Sequence, residues 1–327
     1  MIGRFKAWMA LFSAPMAALP VLAHSQPALI PAPLWVNQDA PWHTAYPLLQ
    51  LSAARPDTTR ITAQLTTANV FHLQKSRDEK IELDDEVQSL NLSASHPLSN
   101  RMDITLRTRW QRHDSGIWDS MIESWHEFFH LPNGGRELRD PERLYLAYDH
   151  DGSQTRVTYA APGWQALNVE FGYTTETPPD QAGRWQVALG YTWSQSPSLG
   201  GNRLQLHAGY THGWRLNERW TTQFGGGLSL LPPDRSDLNS LRARLRGQLR
   251  GTLSWKLFTQ TIVLAQLDSH TPLYDSRVAP LGTLPMILTL AARYQHAQQT
   301  LEAGFGEDLN PGASPDWSTH LTWRYQW

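Results

Sequence analysis

Hydrophobic and polar residues alternate with a period of two along most of the chain, most clearly at its C-terminal end. Over residues 317–327 one alternating set is mostly aromatic or aliphatic and the other is polar: Trp317, Thr319, Leu321, Trp323, Tyr325 and Trp327 against Ser318, His320, Thr322, Arg324 and Gln326. Successive side chains of a β-strand point to opposite faces, so this pattern predicts a strand with one apolar and one polar face. Such strands are typical of transmembrane barrels, and the edge strand of a soluble sandwich is the alternative.

About fourteen segments with this alternation follow one another between residues 60 and 327. Each is about long enough to cross a bilayer as a tilted strand. Their second faces are small or polar, which disfavours the sandwich. We therefore predict an all-β, transmembrane antiparallel β-barrel of about fourteen strands over residues 59–327, with the turn 149–154 on the periplasmic side. The outer connection Ala161-Pro-Gly163 is unusually short, so a twelve-stranded barrel that omits the strand pair near 154–160 or another weak pair is the alternative.

The N-terminal part of the chain predicts export. Arg4 and Lys6 precede an apolar stretch from Ala7 to Leu22, followed by small residues, so residues 1–25 are predicted to be a signal peptide. Residues 26–58 carry prolines at 27, 31, 33, 41, 47 and 56. Proline removes a backbone donor and fixes φ, so we expect this segment to be an irregular arm, either periplasmic or inserted into the barrel lumen.

One stretch changes its period from two to 3.6. Residues 116–131 place Ile117, Met121, Ile122, Trp125, Phe128 and Phe129 on one helical stripe and Asp119, Glu123, His126 and His130 on the opposite one. Pro132 and Asn133-Gly-Gly135 end the pattern. We predict one amphipathic helix in a long extracellular loop.

The helix and the residues after it carry a family resemblance. Asp119-Ser-Met-Ile-Glu-Ser-Trp-His126, Leu131-Pro-Asn-Gly-Gly-Arg136 and Val36-Asn-Gln38 resemble the family catalogued as domain of unknown function 3187. Its members are predicted outer-membrane β-barrel proteins of Gram-negative bacteria without an established activity. The resemblance therefore implies a fold and a location, the bacterial outer membrane after export to the periplasm. It implies no mechanism.

Composition removes several functional classes. Without Arg4 and Lys6 the chain has 26 basic and 30 acidic residues, which speaks against nucleic-acid binding. The absence of cysteine excludes disulfides and cysteine-ligated metals. His126-Glu-Phe-Phe-His130 matches the short zinc-protease pattern, but no third ligand follows at a recognisable spacing, so His126 and His130 are only weak metal candidates. We predict no cofactor.

A lipid hydrolase is one alternative function. His113-Asp-Ser115 places a possible base and nucleophile on one strand face, as outer-membrane phospholipases and lipid A deacylases do. The Asn-Gly that follows the serine in those enzymes is replaced by Gly116-Ile117, and no orienting partner for His113 is identifiable. We favour a non-enzymatic function.

The polar barrel face suggests a path for a solute. Charged side chains are costly in lipid, so the basic ladder before Leu257 should point inward together with two arginines of an earlier strand: Arg242, Arg244, Arg246, Arg250 and Lys256, with Arg107 and Arg109. Acidic residues such as Glu170 share this face, so the ladder forms either an internal salt-bridge network or a path for an anion.

We therefore predict a passive channel or uptake protein for a small amphipathic or anionic solute. The loop helix would act as its gate, through Asp119, Glu123, Trp125, His126, Asn133 and Arg136. A structural barrel with a plugged lumen is the other alternative. Expected partners are outer-membrane lipids and lipopolysaccharide, an unidentified solute, and the barrel-assembly machinery through the C-terminal strand ending at Trp327.

Overall fold

The computed structural model describes residues 30–116, 118, 120, 123–124, 127–128, 143–193, 197–199, 202–233 and 238–327. In this part of the chain fourteen strands form one antiparallel sheet: β1 (Arg60–Lys75), β2 (Glu79–Pro97), β3 (Met102–Asp114), β4 (Tyr145–His150), β5 (Ser153–Val157), β6 (Gly163–Thr175), β7 (Gln181–Thr192), β8 (Arg203–Arg215), β9 (Trp220–Leu230), β10 (Leu245–Lys256), β11 (Thr261–His270), β12 (Met286–His296), β13 (Gln299–Asp308) and β14 (Trp317–Gln326). A helix at Ala279–Gly282 and 3-10 turns at Pro197–Leu199 and Asn239–Leu241 lie in the connections. No described helix is long and apolar enough to span a membrane.

Twelve of these strands close into a barrel. β1 pairs with β14 on one side and with β2 on the other, which joins the two ends of the sheet. β4 and β5 lie outside the ring, because β4 pairs with residues 79–84 of β2 beyond the end of β3, and β5 pairs with β4. The barrel prediction is confirmed. The prediction of fourteen barrel strands was wrong. The twelve-stranded alternative without the pair near 154–160 is confirmed.

The length of β4 and β5 explains the difference. They contain 6 and 5 residues, whereas a strand needs about nine to cross a bilayer. Alternation predicts strands but does not say how far they extend. The turn 149–154 was predicted on the periplasmic side, together with short turns such as 97–100. It lies at the other end of the barrel from those turns, where Asp151 N donates to Asp78 O.

The two barrel ends differ in the length of their connections. The turn end carries the short turns 98–101, 176–180, 216–219, 257–260 and 297–298 and both termini of the barrel. The loop end carries the connections 76–78, 115–162, 193–202, 231–244, 271–285 and 309–316. These two names are used below.

The predicted alternation is seen in the side-chain directions. On β14, Leu321 and Trp323 face outward, whereas Thr322 and Arg324 are buried on the interior face. On β7, Trp185, Val187, Leu189 and Tyr191 are exposed on the outside. The outer surface is thus a band of large apolar side chains, and the interior is polar.

Residues 30–58 of the arm lie inside the barrel. Arg55 donates to Ser99 O at the turn end (2.6 Å), and Gln38 Nε2 donates to Ala313 O at the loop end (2.8 Å). The ascending limb (30–39) leads to the apex (40–46), and the returning limb (47–58) leads back to β1. Both limbs therefore share the lumen over its whole height.

The apex is covered by the connections of the loop end. Trp42 is 1% exposed, and its indole Nε1 donates to Ser198 O (2.8 Å). Tyr274 OH donates to Trp42 O (2.9 Å). An apolar cluster surrounds these residues and includes Tyr46, Ile81, Leu83, Leu146, Leu231 and Leu273. This cluster is the apolar core of the loop end.

Candidate functional site

Inward-facing glutamines bind the backbone of the arm. Gln266 on β11 accepts from Leu34 N (2.8 Å) and donates to Leu34 O (3.1 Å). Gln248 on β10 does the same for one residue of the other limb, accepting from Leu49 N (3.1 Å) and donating to Leu49 O (2.7 Å). Each side chain therefore satisfies both polar groups of a single arm residue, as a neighbouring strand would.

Further glutamines extend this arrangement around the barrel. Gln223 on β9 accepts from Ala53 N (3.1 Å) and donates to Pro31 O (2.9 Å), so it joins the two limbs. Gln186 on β7 accepts from Ser52 N (2.8 Å) and donates to Gln50 O (2.9 Å). Gln205 and Gln64 donate to the carbonyls of Ala45 (3.0 Å) and Trp35 (2.9 Å). We call Gln64, Gln186, Gln205, Gln223, Gln248 and Gln266 the glutamine clamps.

Two arginines of the predicted ladder also hold the arm. Arg246 donates to the carbonyls of Tyr46 (2.7 Å) and Pro47 (2.8 Å). Arg250 forms an ion pair with Asp268 (2.6 Å) and donates to Leu51 O (3.3 Å). Arg246 and Arg250 therefore bind backbone carbonyls of the arm, and Arg250 also pairs with an acidic residue of the lumen.

The other ladder residues lie elsewhere. Arg242 precedes β10 at the loop end, where it donates to Leu231 O (3.1 Å) and lies over the Tyr46 ring. Arg244 is exposed beside it, and Lys256 is exposed at the turn end. The ladder is therefore not continuous along the lumen.

Acidic residues pair with the remaining lumen arginines. Arg107 lies 3.2 Å from Glu170, and Arg184 binds Asp103 (3.1 Å) and Glu170 (3.3 Å). Arg109 pairs with Asp39 of the arm and donates to Ser89 Oγ (2.7 Å). Buried charges are tolerated when they are paired and hydrogen-bonded in this way. The interior combines a salt-bridge network with the arm contacts.

A cavity of about 230 Å³ remains at the turn end. Its basic lining residues are Arg55, Arg60, Arg293 and Arg324, and its one acidic lining residue is Asp57. Glu302, buried behind the lining, accepts from Arg293 Nε (2.7 Å) and Arg324 (3.1 Å). We call this cavity the vestibule. Higher in the lumen the spaces beside the arm measure about 30 and 60 Å³.

His113 has an orienting partner that the sequence did not reveal. Its Nδ1 lies 2.6 Å from Asp85 Oδ2, and its Nε2 lies 3.4 Å from Gln111 Nε2. Asp85 comes close because residues 86–97 of β2 pair with β3, a register that is not apparent in the sequence. Ser115 N donates to Asp114 Oδ1, and no hydrogen bond between Ser115 and His113 occurs among the described contacts. His113 and Ser115 therefore remain a prediction as a catalytic pair.

Most of the predicted loop-helix site lies outside the described residues. This applies to Asp119, Trp125, His126, His130, Asn133 and Arg136, so the gate helix and the weak metal candidates remain predictions. Glu123 is described and is half-buried. The neighbouring Trp118 packs its ring against Trp317 (5.5 Å between centroids), which connects this loop to the start of β14.

Comparison with known families identifies the chain. A family model matches residues 10–327, which is nearly the whole sequence. The chain belongs to the family described as Protein of unknown function (DUF3187). The resemblance inferred from the sequence is thus confirmed. No curated protein matches this sequence.

Solved structures with similar folds are outer-membrane barrels. An outer membrane channel from Pseudomonas putida F1 is 12% identical, with a TM-score of 0.51 over 83% of this chain and 95% of that one. The NanC porin is 8% identical, with a TM-score of 0.49 over 82% of this chain and 100% of that one. At such low identity the likeness to the Pseudomonas channel concerns the fold alone.

The glutamine clamps were missed at the level of sequence. They occupy alternating polar positions, so the pattern places them on the inner face. Nothing in it distinguishes a glutamine in contact with water from one that binds a peptide. The available signal was the proline-rich arm, whose backbone groups need partners wherever the arm is buried.

Proposed function

We propose that this protein is an outer-membrane channel that its own arm closes, and that it passes small anionic solutes when the arm withdraws. The turn end would face the periplasm and the loop end the cell exterior. The observation that carries this proposal is the arm itself, which fills the lumen above a basic vestibule. The arm would take the gating role that the sequence suggested for the loop helix.

The outer surface supports a location in the outer membrane. Its band of large apolar side chains would be costly in water and suits lipid, and a closed barrel satisfies every strand pairing without an exposed edge. Trp323, Tyr325 and Trp327 stack at the end of β14, where aromatic residues suit a membrane interface. Contacts of this strand with the assembly machinery, and of the outer surface with lipopolysaccharide, belong to the same proposal.

The mode of arm binding supports withdrawal. No backbone–backbone hydrogen bond joins the described residues 30–58 of the arm to a barrel strand, and their polar contacts come mainly from side chains. Each such hydrogen bond contributes about 1 kcal/mol net, because water replaces it when it breaks. Withdrawal toward the turn end would leave all barrel pairings intact.

The charges of the vestibule support anions as the solute. Four arginines and one aspartate line it, and Glu302 offsets one further charge. A mouth with a surplus of one sign and low-dielectric walls raises the local concentration of the opposite ion.

A disulfide between the arm and the barrel tests the gate. A Cβ built on Gly213 of β8 lies 3.1 Å from Ala53 Cβ, about half an ångström closer than the two Cβ atoms of a disulfide usually lie. The chain has no cysteine, so Ala53→Cys/Gly213→Cys would form one defined bond. In planar bilayers we expect the reduced full-length variant to show channel openings and the oxidised variant to show none.

The single variants Ala53→Cys and Gly213→Cys are the controls and should respond to neither oxidant nor reductant. Gln248→Ala/Gln266→Ala weakens the arm contacts without a cross-link and should open more often than the wild-type channel. A barrel that stays silent in the reduced, wild-type and clamp-weakened forms would reject the channel and leave the plugged structural barrel. That second candidate is favoured by the covered apex, where Trp42 is 1% exposed.

Ion selectivity tests the solute class. Open channels should prefer chloride over potassium, and Arg60→Glu should lower that preference about fivefold, because a charge reversal near the path is worth about 1 kcal/mol in water-like surroundings. The measurement is the reversal potential under a potassium chloride gradient. Arg156→Glu, at an exposed position of β5 outside the barrel, is the matched control and should leave the potential unchanged.

A further inference from the structure

The glutamine clamps both donate and accept hydrogen bonds, and an ionised carboxylate cannot satisfy both groups. An ionised carboxylate offers only acceptors, whereas the Oε1 atoms of Gln248 and Gln266 accept from a backbone N–H while their Nε2 atoms donate to a backbone C=O. The group that satisfies both atoms is the pair of amides flanking one Cα of a peptide. The clamps are therefore complementary to the main chain of a peptide.

The wall of β8 adds a side-chain preference. Leu49 and Leu51 lie against Gly209, where an added Cβ would be 3.0 Å from Leu49 Cδ2 and 2.5 Å from Leu51 Cδ2. Four residues along the strand, Ala53 and Ile30 lie against Gly213 at 3.1 Å. Missing Cβ atoms at both positions leave room for the arm. Leu49, Leu51 and Ala53 of the returning limb therefore contact the wall at every second residue, and Leu51 N donates to Leu49 O (2.9 Å) in a tight turn centred on Gln50. The wall accommodates small or aliphatic side chains at these positions.

The side chains of the returning limb are uncharged where the clamps bind it. Residues 47–54 read Pro-Leu-Leu-Gln-Leu-Ser-Ala-Ala and contain no ionisable side chain. Most of their polar contacts with the wall involve backbone atoms, and they come from Gln186, Gln223 and Gln248 and from the guanidinium groups of Arg184, Arg246 and Arg250. Recognition of this kind depends on the main chain and on small or aliphatic side chains more than on a particular sequence.

We propose that the lumen is a peptide-binding site: when the arm withdraws, the glutamine clamps bind an uncharged peptide with small or aliphatic residues at alternating positions. The arm occupies this site as an internal ligand. The inference rests on the arm withdrawal of the proposed function, but it needs neither ion conduction nor an anionic solute.

Competition with the arm in the full-length protein tests the site. Trp42→Ala in the Ala53→Cys/Gly213→Cys background loosens the apex and removes none of the described hydrogen bonds of residues 47–54. The rate of disulfide formation then reports how often the arm occupies the wall. We expect a capped synthetic peptide with the sequence of residues 47–54 to slow the cross-linking.

N-methylated peptides make the test specific for the main chain. Methylation of the nitrogens of Leu49 and Ala53 removes two hydrogen bonds to the clamps, Leu49 N to Gln248 and Ala53 N to Gln223. The peptide concentration needed for half inhibition should rise about thirtyfold. Methylation at Leu48 and Gln50, whose nitrogens donate to no lumen side chain among the described contacts, should leave it nearly unchanged.

Two results would overturn the peptide site: no slowing by any peptide, or equal slowing by the two methylated peptides. Peptide competition in a barrel without conductance would support the site while rejecting the channel. Anion conductance together with no competition would support the channel and reject the peptide site. The two proposals can therefore fail separately.

Discussion

His43 in the apex is the residue through which pH should act on the arm. Its Nε2 donates to Pro280 O (2.8 Å), and its ring lies 5.9 Å from the rings of both His270 and Tyr274. Burial, with a smaller contribution from the nearby Arg246 guanidinium, lowers the pKa of His43 to about 4 against the opposing effect of the Pro280 carbonyl. The docked apex therefore holds a neutral imidazole.

Acid should release the apex. A withdrawn His43 has a pKa of about 6.5 and binds a proton that the docked residue excludes, so docking is fully stable above pH 6.5 and weakens as pH falls toward 4. The loss amounts to about 3 kcal/mol at most. Hydrogen–deuterium exchange of the arm, corrected for the intrinsic pH effect, should show loss of protection over this range.

The variant His43→Gln should show a smaller change in arm protection between pH 7 and pH 4. His270 is the second histidine at the apex, so His43→Gln/His270→Gln separates its contribution. An equal loss of protection in the wild type and in the double variant would assign the pH effect to other groups.

Among the elements, the arm and the β4–β5 hairpin depart furthest from regular barrel architecture. Prolines at 31, 33, 41, 47 and 56 keep the arm from pairing as a strand, and the glutamine clamps supply the hydrogen bonds that a sheet would otherwise provide. The spacing of the prolines predicted an irregular segment. It did not predict a ligand of the lumen, because the clamps come from strands up to 232 residues away.

For the β4–β5 hairpin, sequence analysis predicted the strands but not their position in the fold. Residues 145–157 alternate well enough to be recognised as strands, and they are strands. Their place in the fold depends on β2, which is 19 residues long and extends beyond β3 to offer a pairing edge at the loop end. The length of a neighbouring strand is not encoded in the alternation of the hairpin itself.

At the scale of the whole molecule, closure determines the stability of the barrel. Each of the twelve ring strands is hydrogen-bonded to two other ring strands, so no ring strand offers an edge from which the ring can be opened. We expect the purified protein to need detergent for solubility. It should also resist sodium dodecyl sulfate until it is heated.

Electrophoresis measures this resistance directly. The unheated protein should migrate faster than the boiled protein, because the closed barrel stays compact and binds less detergent. A sample unfolded in urea before loading is the control and should migrate like the boiled one. Identical mobility of heated and unheated samples, or extraction into buffer without detergent, would contradict a membrane barrel.

The sequence by itself determined the strands, the direction of their side chains and the irregularity of the arm. These properties depend on neighbouring residues, since a period of two decides which face each side chain occupies and proline acts on its own backbone. Tertiary structure alone decided that twelve strands close, that Asp85 meets His113 and that glutamines bind the arm. Each of these depends on pairing between residues far apart in the chain, for which local alternation carries no information.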